Sequence, residues 1–278
     1  MKIIAYLFAA LAMAALPHAA LADSFASPWV AGAGAKARLI VAGGPVKGVW
    51  QAAVDISLDP GEVTYWRSPG ETGVPPDFNF KGSVNVGSTL VSYPAPHDLV
   101  EAGNIEAFGY QTRVLFPLEV TPTQQGMPTK LHLTLNYAAC ATICAPLRAT
   151  LDLALPVQAV SSPYAADISK WQAQIPKKLT IAPTALAAAI QSLKSGSKPA
   201  WRLQTAKIGI AADHVFVEPP DGYYVTTKSD GKDGVFRLIL SEAPTNPTTN
   251  LVPVRFTATS KNGAVEWHGT LDVGAAKP

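Results

Sequence analysis

Charge is in short supply in this chain. Asp, Glu, Lys and Arg together make up 15% of its 278 residues, and the formal balance is only +2. Neutralising a row of phosphates takes a basic surplus, so nucleic acid is not an expected partner. Cysteine is scarcer still: Cys140 and Cys144 are the whole supply, enough for one intramolecular bridge. His97, His132, His214 and His268 are scattered, without the close spacing of a metal site. Soft thiolates do favour Cu(I), but two of them with no methionine cluster make a poor copper carrier, and no metal or other cofactor is expected. A Ser/His/Asp constellation, a phosphate-cradling glycine loop and a paired-carboxylate motif are missing too. A hydrolase or nucleotide enzyme is therefore not read here.

Beyond the N-terminus there is no apolar run near the roughly 18 residues that a spanning helix needs. The one apolar stretch, Ile3 to Leu16, follows Lys2 and leads to Ala20-Leu21-Ala22, which places small residues where a signal peptidase reads. Residues 1–22 are thus expected to be a secretory signal peptide cleaved after Ala22, the short run arguing against an uncleaved anchor. Cleavage leaves about 256 residues, one large or two ordinary domains on a length prior. It also removes Lys2, which takes the balance to +1. The mature chain is expected to be soluble and exported, and in an oxidising compartment outside the cytosol a paired thiol persists as a disulfide.

What the chain has in quantity is punctuation, with 24 prolines and 21 glycines. Trp50, Ala52, Val54, Ile56 and Leu58 alternate with Gln51, Ala53, Asp55 and Ser57, the period of a half-buried strand. The same period returns over Leu131, Leu133, Leu135 and Tyr137, and over Leu151, Leu153 and Leu155. Short strands with Gly/Pro connectors predict an all-β fold, an immunoglobulin-like antiparallel sandwich over residues 28–157. Residues 158–197 read as a helical connector. "YAADISKWQAQI" follows a Ser162-Pro163 start, and "TALAAAIQSLKSG" puts Leu186, Ile190 and Leu193 on one face with Gly196 to end it. Alternation resumes in "HVFVEPPDGYYV", "GVFRLILSE", "LVPVRFTAT" and "AVEWHGTLDV", with "SDGKDG" and "KNG" as turns. Residues 198–276 are read as a second, smaller β domain.

The cysteines lie in "NYAACATICAPLRATLDL". Residues four apart in one extended strand are roughly 13 Å apart, beyond the span of about 4.4–6.8 Å that a disulfide allows, so the chain must bend between them. A tight turn over Ala141-Thr142-Ile143 would set the two facing across a hairpin; one helical turn would also bring them near, against the β pattern of the flanks. Two roles stay open. A structural staple over so short a loop adds only about 2 kcal/mol. A redox dithiol wants an activating neighbour, and the nearest basic residue is Arg148.

The ordered set "TYWRSPGETGVPPDFNF" (64–80), "YPAPHDL" (93–99), "EAFGYQTRVLFPLEV" (106–120) and "LHLTLNYAACATICAPLRATLDLALP" (131–156) resembles the N-terminal periplasmic domain of the thiol:disulfide interchange protein DsbD. The likeness is nearest to the branch of suppressor-of-copper-sensitivity-like and stand-alone relatives. It implies an immunoglobulin-like sandwich whose cysteine pair relays electrons from a thioredoxin-like domain to periplasmic oxidoreductases, as a protein-disulfide reductase or redox relay. By position that pair is Cys140 and Cys144, with Cys144 attacking partner disulfides and Cys140 resolving. The resemblance also points to Phe78 or Phe80 as an aromatic shielding the pair from a cap loop, against the plainer reading of a core aromatic after a turn. Two departures stand out: the cysteines are closer together than in the best-known member, and neither its membrane domain nor its thioredoxin-like domain is legible here. A thioredoxin-like periplasmic or membrane-anchored protein would have to supply the electrons.

Three further features carry two readings each. Tyr65, Trp66 and Arg67 could form a docking surface near the cysteines, or be a core Trp flanked by an exposed Arg. "FVEPPDGYYV" (216–225) could be a binding loop or a rigid hairpin with exposed tyrosines. The chain as a whole reads either as a thiol-disulfide exchange protein or as a secreted β-sandwich binding or adaptor module with a structural disulfide.

Overall fold

The computed structural model describes residues 25–274, apart from 72, 102–104, 159, 194–197 and 246–248. The expected signal peptide and Gly196 lie outside the described residues. The first part of the chain forms β1 (Val30–Ala31), β2 (Ala35–Val41), β3 (Trp50–Leu58), β4 (Val63–Gly70), β5 (Asp77–Asn79), β6 (Val86–Val91), β7 (His97–Glu101), β8 (Ile105–Gln111), β9 (Arg113–Pro122), β10 (Thr129–Cys140) and β11 (Cys144–Leu155). After these come α1 (Ala165–Gln172), β12 (Lys177–Lys178), α2 (Pro183–Ala189), β13 (Ile190–Leu193), β14 (Ala200–Gln204), β15 (His214–Glu218), β16 (Tyr224–Ser229), β17 (Val235–Glu242), β18 (Leu251–Ser260) and β19 (Gly263–Asp272). No helix among them is long and apolar enough to cross a membrane.

The fold is all-β and immunoglobulin-like, as the alternation requires. One sheet runs β1-β2-β3-β9-β6 and a second runs β11-β10-β4-β8-β7, with β5 added on β10. Their inner faces supply a common core. Trp50, Ala52, Val54, Ile56 and Leu58 meet Leu131, Leu133, Leu135, Tyr137, Leu151, Leu153 and Leu155, all buried. The later strands form two more sheets, β12-β19-β18-β15 and β13-β14-β17-β16, around Trp201, Leu203, Leu238, Phe256 and Trp267.

Three local expectations give way to tertiary contacts. The alternation puts Ala53 and Asp55 on the outer side of a half-buried strand, yet both are fully buried. The reason is α1, whose Ile168 packs on Ala53 and Leu115. Asp55 is compensated by Arg38 Nε at 3.0 Å and by Arg113, whose Nε and Nη2 donate at 2.7 and 2.9 Å. A buried carboxylate survives only with such partners. The first helix begins at Ala165 with Tyr164 before it, two residues beyond Ser162, whose hydroxyl accepts from Tyr164 N–H as a capping side chain does and donates to Val41 C=O, tying this turn to β2. The second helix stops at Ala189. Ile190 turns extended and pairs with Leu203, so ladder bonds to β14 override the helical period of "TALAAAIQSLKSG".

The "FVEPPDGYYV" segment is also not a hairpin, since β15 pairs with β18 and β16 with β17, in different sheets. Its residues tie the two sheet pairs together. Phe216 belongs to the first core, with ring centroids 5.0 Å from Phe108 and 5.8 Å from Trp66. Tyr224 is half-buried and its hydroxyl donates to Glu106 at 3.3 Å. Close by, His214 Nδ1 lies 2.5 Å from Asp98 Oδ2.

Two outcomes are expected from this junction. Phe216→Ala empties a buried site shared by Trp66 and Phe108 and should cost about 3–5 kcal/mol in denaturant unfolding followed by tryptophan fluorescence. Glu106 has its carboxyl pKa raised, first by burial and then by the charge of Asp98, with Glu71 adding and Tyr224 and Lys228 opposing. A raised carboxyl holds its proton more tightly when folded, so its contribution to stability is present at low pH and is lost as pH rises through the folded value. Glu106→Gln should therefore raise the melting temperature at about pH 7 and leave it nearly unchanged at about pH 3, below the ordinary glutamate range.

Candidate functional site

β10 and β11 pair without a break from Thr129↔Leu155 to Cys140↔Cys144. Their alternation puts Leu131, Leu133, Leu135, Tyr137 and Ala139 into the core and turns the intervening residues to the outer face. Both cysteines share that outer face, and Ala141, Thr142 and Ile143 make the turn between them. The two are joined as a disulfide, with Cα atoms 4.0 Å apart.

The sulfurs differ in their surroundings because the strands that carry them differ. β10 is an inner strand with β4 on its other side, where Cys140 pairs with Val63. Cys140 is accordingly 2% exposed, in a small apolar cluster of Val63, Tyr65, Leu99, Ala107 and Ala138. β11 is the last strand of its sheet, so Cys144 lacks a neighbouring strand on one side and is exposed. Beside it Ile143 is 82% exposed.

A polar group reaches the pair. The Tyr65 hydroxyl lies 3.5 Å from Cys144 Sγ, and since a disulfide sulfur carries no hydrogen, the phenol donates. A donor so placed favours negative charge on that sulfur. Two glycines let Tyr65 sit there. Gly109 stands opposite it on β8, where a Cβ would fall 2.0 Å from Thr64 C=O. Gly73, at φ +127°, passes the ring where a Cβ would lie 2.6 Å from its carbons. Thr64 adds a buried hydrogen bond at 2.8 Å to Ala138 C=O.

The aromatic shield expected from Phe78 or Phe80 is corrected by this arrangement. Phe78 pairs with Leu135 on β10, five residues from Cys140, and its ring meets Phe116 at 5.3 Å and Tyr93 at 6.1 Å. Both Phe78 and Phe80 pack on the main core, apart from the cluster holding Cys140. The ring at the disulfide is Tyr65. Trp66 is a fully buried core residue, and Arg67 is not exposed but engaged with Glu218 and Glu266. Arg148 stands opposite Asn136, four residues along the strand from Cys144. Among the described residues, no group of three His, Cys, Asp or Glu side chains is placed to hold a metal ion.

Comparison with known proteins agrees with the resemblance read from the sequence. Residues 40–156 match the family described as Thiol:disulfide interchange protein DsbD, N-terminal. The fold is similar to the crystal structure of the N-terminal periplasmic domain of ScsB from Proteus mirabilis, with a TM-score of 0.68 at 21% identity, covering 91% of this chain and 100% of that one. A chimeric titin Z1Z2 aligns over 90% of this chain and 97% of its own at a TM-score of 0.18 and 11% identity, too low to carry an argument. No curated protein matches the chain.

The unequal burial has a direct chemical consequence. In the reduced protein, iodoacetamide should modify Cys144 at least about tenfold faster than Cys140, since the attacking thiol must be reachable. Comparing Cys140→Ser with Cys144→Ser by mass spectrometry would reveal the difference; equal rates would show that burial does not separate the two thiols.

Proposed function

We propose that the chain is a thiol-disulfide exchange protein that carries electron pairs through Cys140 and Cys144, working in the periplasm with a thioredoxin-like partner. One observation carries the reading: a disulfide at a hairpin tip presents one sulfur to solvent and keeps the other buried. The family match over residues 40–156 supports it, as does the likeness to a domain described as periplasmic. We further propose a division in which residues 28–157 hold the redox chemistry, 158–197 connect while lending β12 and β13 to the later sheets, and 198–276 form the rest of a second domain.

The geometry suits a two-step exchange. A partner's thiolate approaches the exposed Cys144 Sγ in line with the S–S bond, a mixed disulfide forms, and the electron pair leaves on Cys140 Sγ, which takes up a proton. The partner's second thiol then attacks its own sulfur in the mixed disulfide. Cys144 is released reduced and the partner is oxidised, with two electrons and two protons delivered to the pair. Discharge runs in reverse: Cys144 thiolate attacks a target disulfide, and Cys140, opposite it in the ladder, resolves the intermediate. Tyr65 assists wherever charge gathers on Cys144.

A staple role has less behind it. The hairpin is already zipped by a continuous ladder, and closing its tip covalently adds only about 2 kcal/mol. The distinguishing experiment mixes Cys140→Ser with a thioredoxin-like protein whose second active-site cysteine is replaced by serine and whose remaining thiol carries a thionitrobenzoate leaving group, so that Cys144 displaces thionitrobenzoate and no thiol is left to resolve the product. A relay accumulates a mixed disulfide through Cys144, visible on a non-reducing gel and reversed by dithiothreitol, whereas a staple traps no partner and loses only melting temperature.

A further inference from the structure

β4 does not run straight past the disulfide. Its pairing with β8 is regular from Val63↔Gln111 to Tyr65↔Gly109 and resumes only at Gly70↔Ala107, so Trp66, Arg67, Ser68 and Pro69 bulge out opposite Phe108 alone. Bulges re-aim side chains and bend the strand that bears them. Tyr65, the donor to Cys144, is the last paired residue before this one. Whatever anchors the bulge therefore sets where the Tyr65 ring ends up.

The anchors come from the far part of the chain. Arg67 makes a fork onto Glu218, Nε to Oε2 at 2.6 Å and Nη2 to Oε1 at 2.8 Å, and Nη2 also donates to Glu266 Oε2 at 3.0 Å. These side chains retain only 19%, 12% and 9% of their exposure. The guanidinium also lies 4.5 Å from the centroid of Trp66, whose ring meets Phe216 edge-on. Glu218 and Phe216 belong to β15 and Glu266 to β19. A bidentate guanidinium–carboxylate pair of low exposure is directional, and it is strongly unfavourable to break because a buried charge is left behind. Burial opposes the charge on Arg67, but the hydrogen bonds and charge of Glu218, then of Glu266, outweigh it and raise its pKa.

We propose that the C-terminal pair of sheets is a positioning element for the disulfide, with Arg67, clamped by Glu218 and Glu266, holding the β4 bulge so that the Tyr65 hydroxyl stays on Cys144. Arg67 is a positioning residue and touches neither sulfur; the proposal rests on the redox reading above and gives the C-terminal sheets a part in it. Phe216 and Trp66 supply the apolar half of the same anchor, while the ion pair supplies its direction.

The test is a double-mutant cycle on the full chain carrying Cys140→Ser, reading the rate at which iodoacetamide modifies Cys144 at about pH 7. Arg67→Gln and Tyr65→Phe should each slow modification about tenfold, the effect of losing one hydrogen bond to a charged group. The double variant should be no slower than Tyr65→Phe alone, because the latch acts through the phenol. An unchanged rate in Arg67→Gln overturns the proposal, and so does an effect that multiplies with that of Tyr65→Phe. Should Arg67→Gln fail to fold, Glu266→Gln, which keeps the Glu218 fork, takes its place with an expected slowing of about threefold that vanishes in the Tyr65→Phe background; equal rates would again refute it. The relay reading fails separately, by the absence of a trapped partner, and that result leaves this rate cycle readable.

Discussion

An inner strand and an edge strand, joined by a three-residue turn, end on two sulfurs that cannot have the same environment. Cys140 inherits the crowding of β10, with β4 alongside and Tyr65, Leu99 and Ala107 packed over it. Cys144 inherits the open side of β11. A disulfide there is made unequal by position alone: attack is open at Cys144 and sterically hindered at Cys140. An exchange reaction needs that distinction, because a partner must meet one sulfur while the other waits to resolve.

The residues that support the site are those of the "TYWRSPG" stretch, read in three directions. Tyr65 points at the sulfur, Trp66 into the core and Arg67 into the C-terminal sheets. A straight strand offers only two faces, and the bulge after Tyr65 supplies the third. Gly109 serves the same end from β8, since a side chain there would collide with the carbonyl of Thr64. The contact to Cys144 and the packing against the C-terminal sheets thus share a few adjacent residues.

Much of the fold was legible from the chain. The two-residue period of β3, β10 and β11 located their buried faces, and the turn at Ala141-Thr142-Ile143 followed from the reach of a disulfide. Errors arose where a distant segment intervened. Ala53 and Asp55 are buried because α1 and two arginines arrive from elsewhere in the sequence. Ile190 leaves its helix because Leu203 offers a ladder partner. Phe78 turns into the Phe116 and Tyr93 cluster and leaves the place at the disulfide to Tyr65. The "PPDGYY" connection crosses between sheets where local turn chemistry suggested a hairpin.

By itself the sequence determined the periodicity of the strands and the bend that a Cys140–Cys144 bridge requires, since each depends on neighbours in the chain. The order of the strands belongs to the tertiary structure. It made β10 an inner strand and β11 an edge, brought Tyr65 to Cys144 from 79 residues away, and set Glu218 and Glu266 around Arg67 from 151 and 199 residues away. Those separations are the physical reason: local propensity acts over a few residues, whereas exposure of one sulfur and the clamp beside it arise only when remote strands pack together.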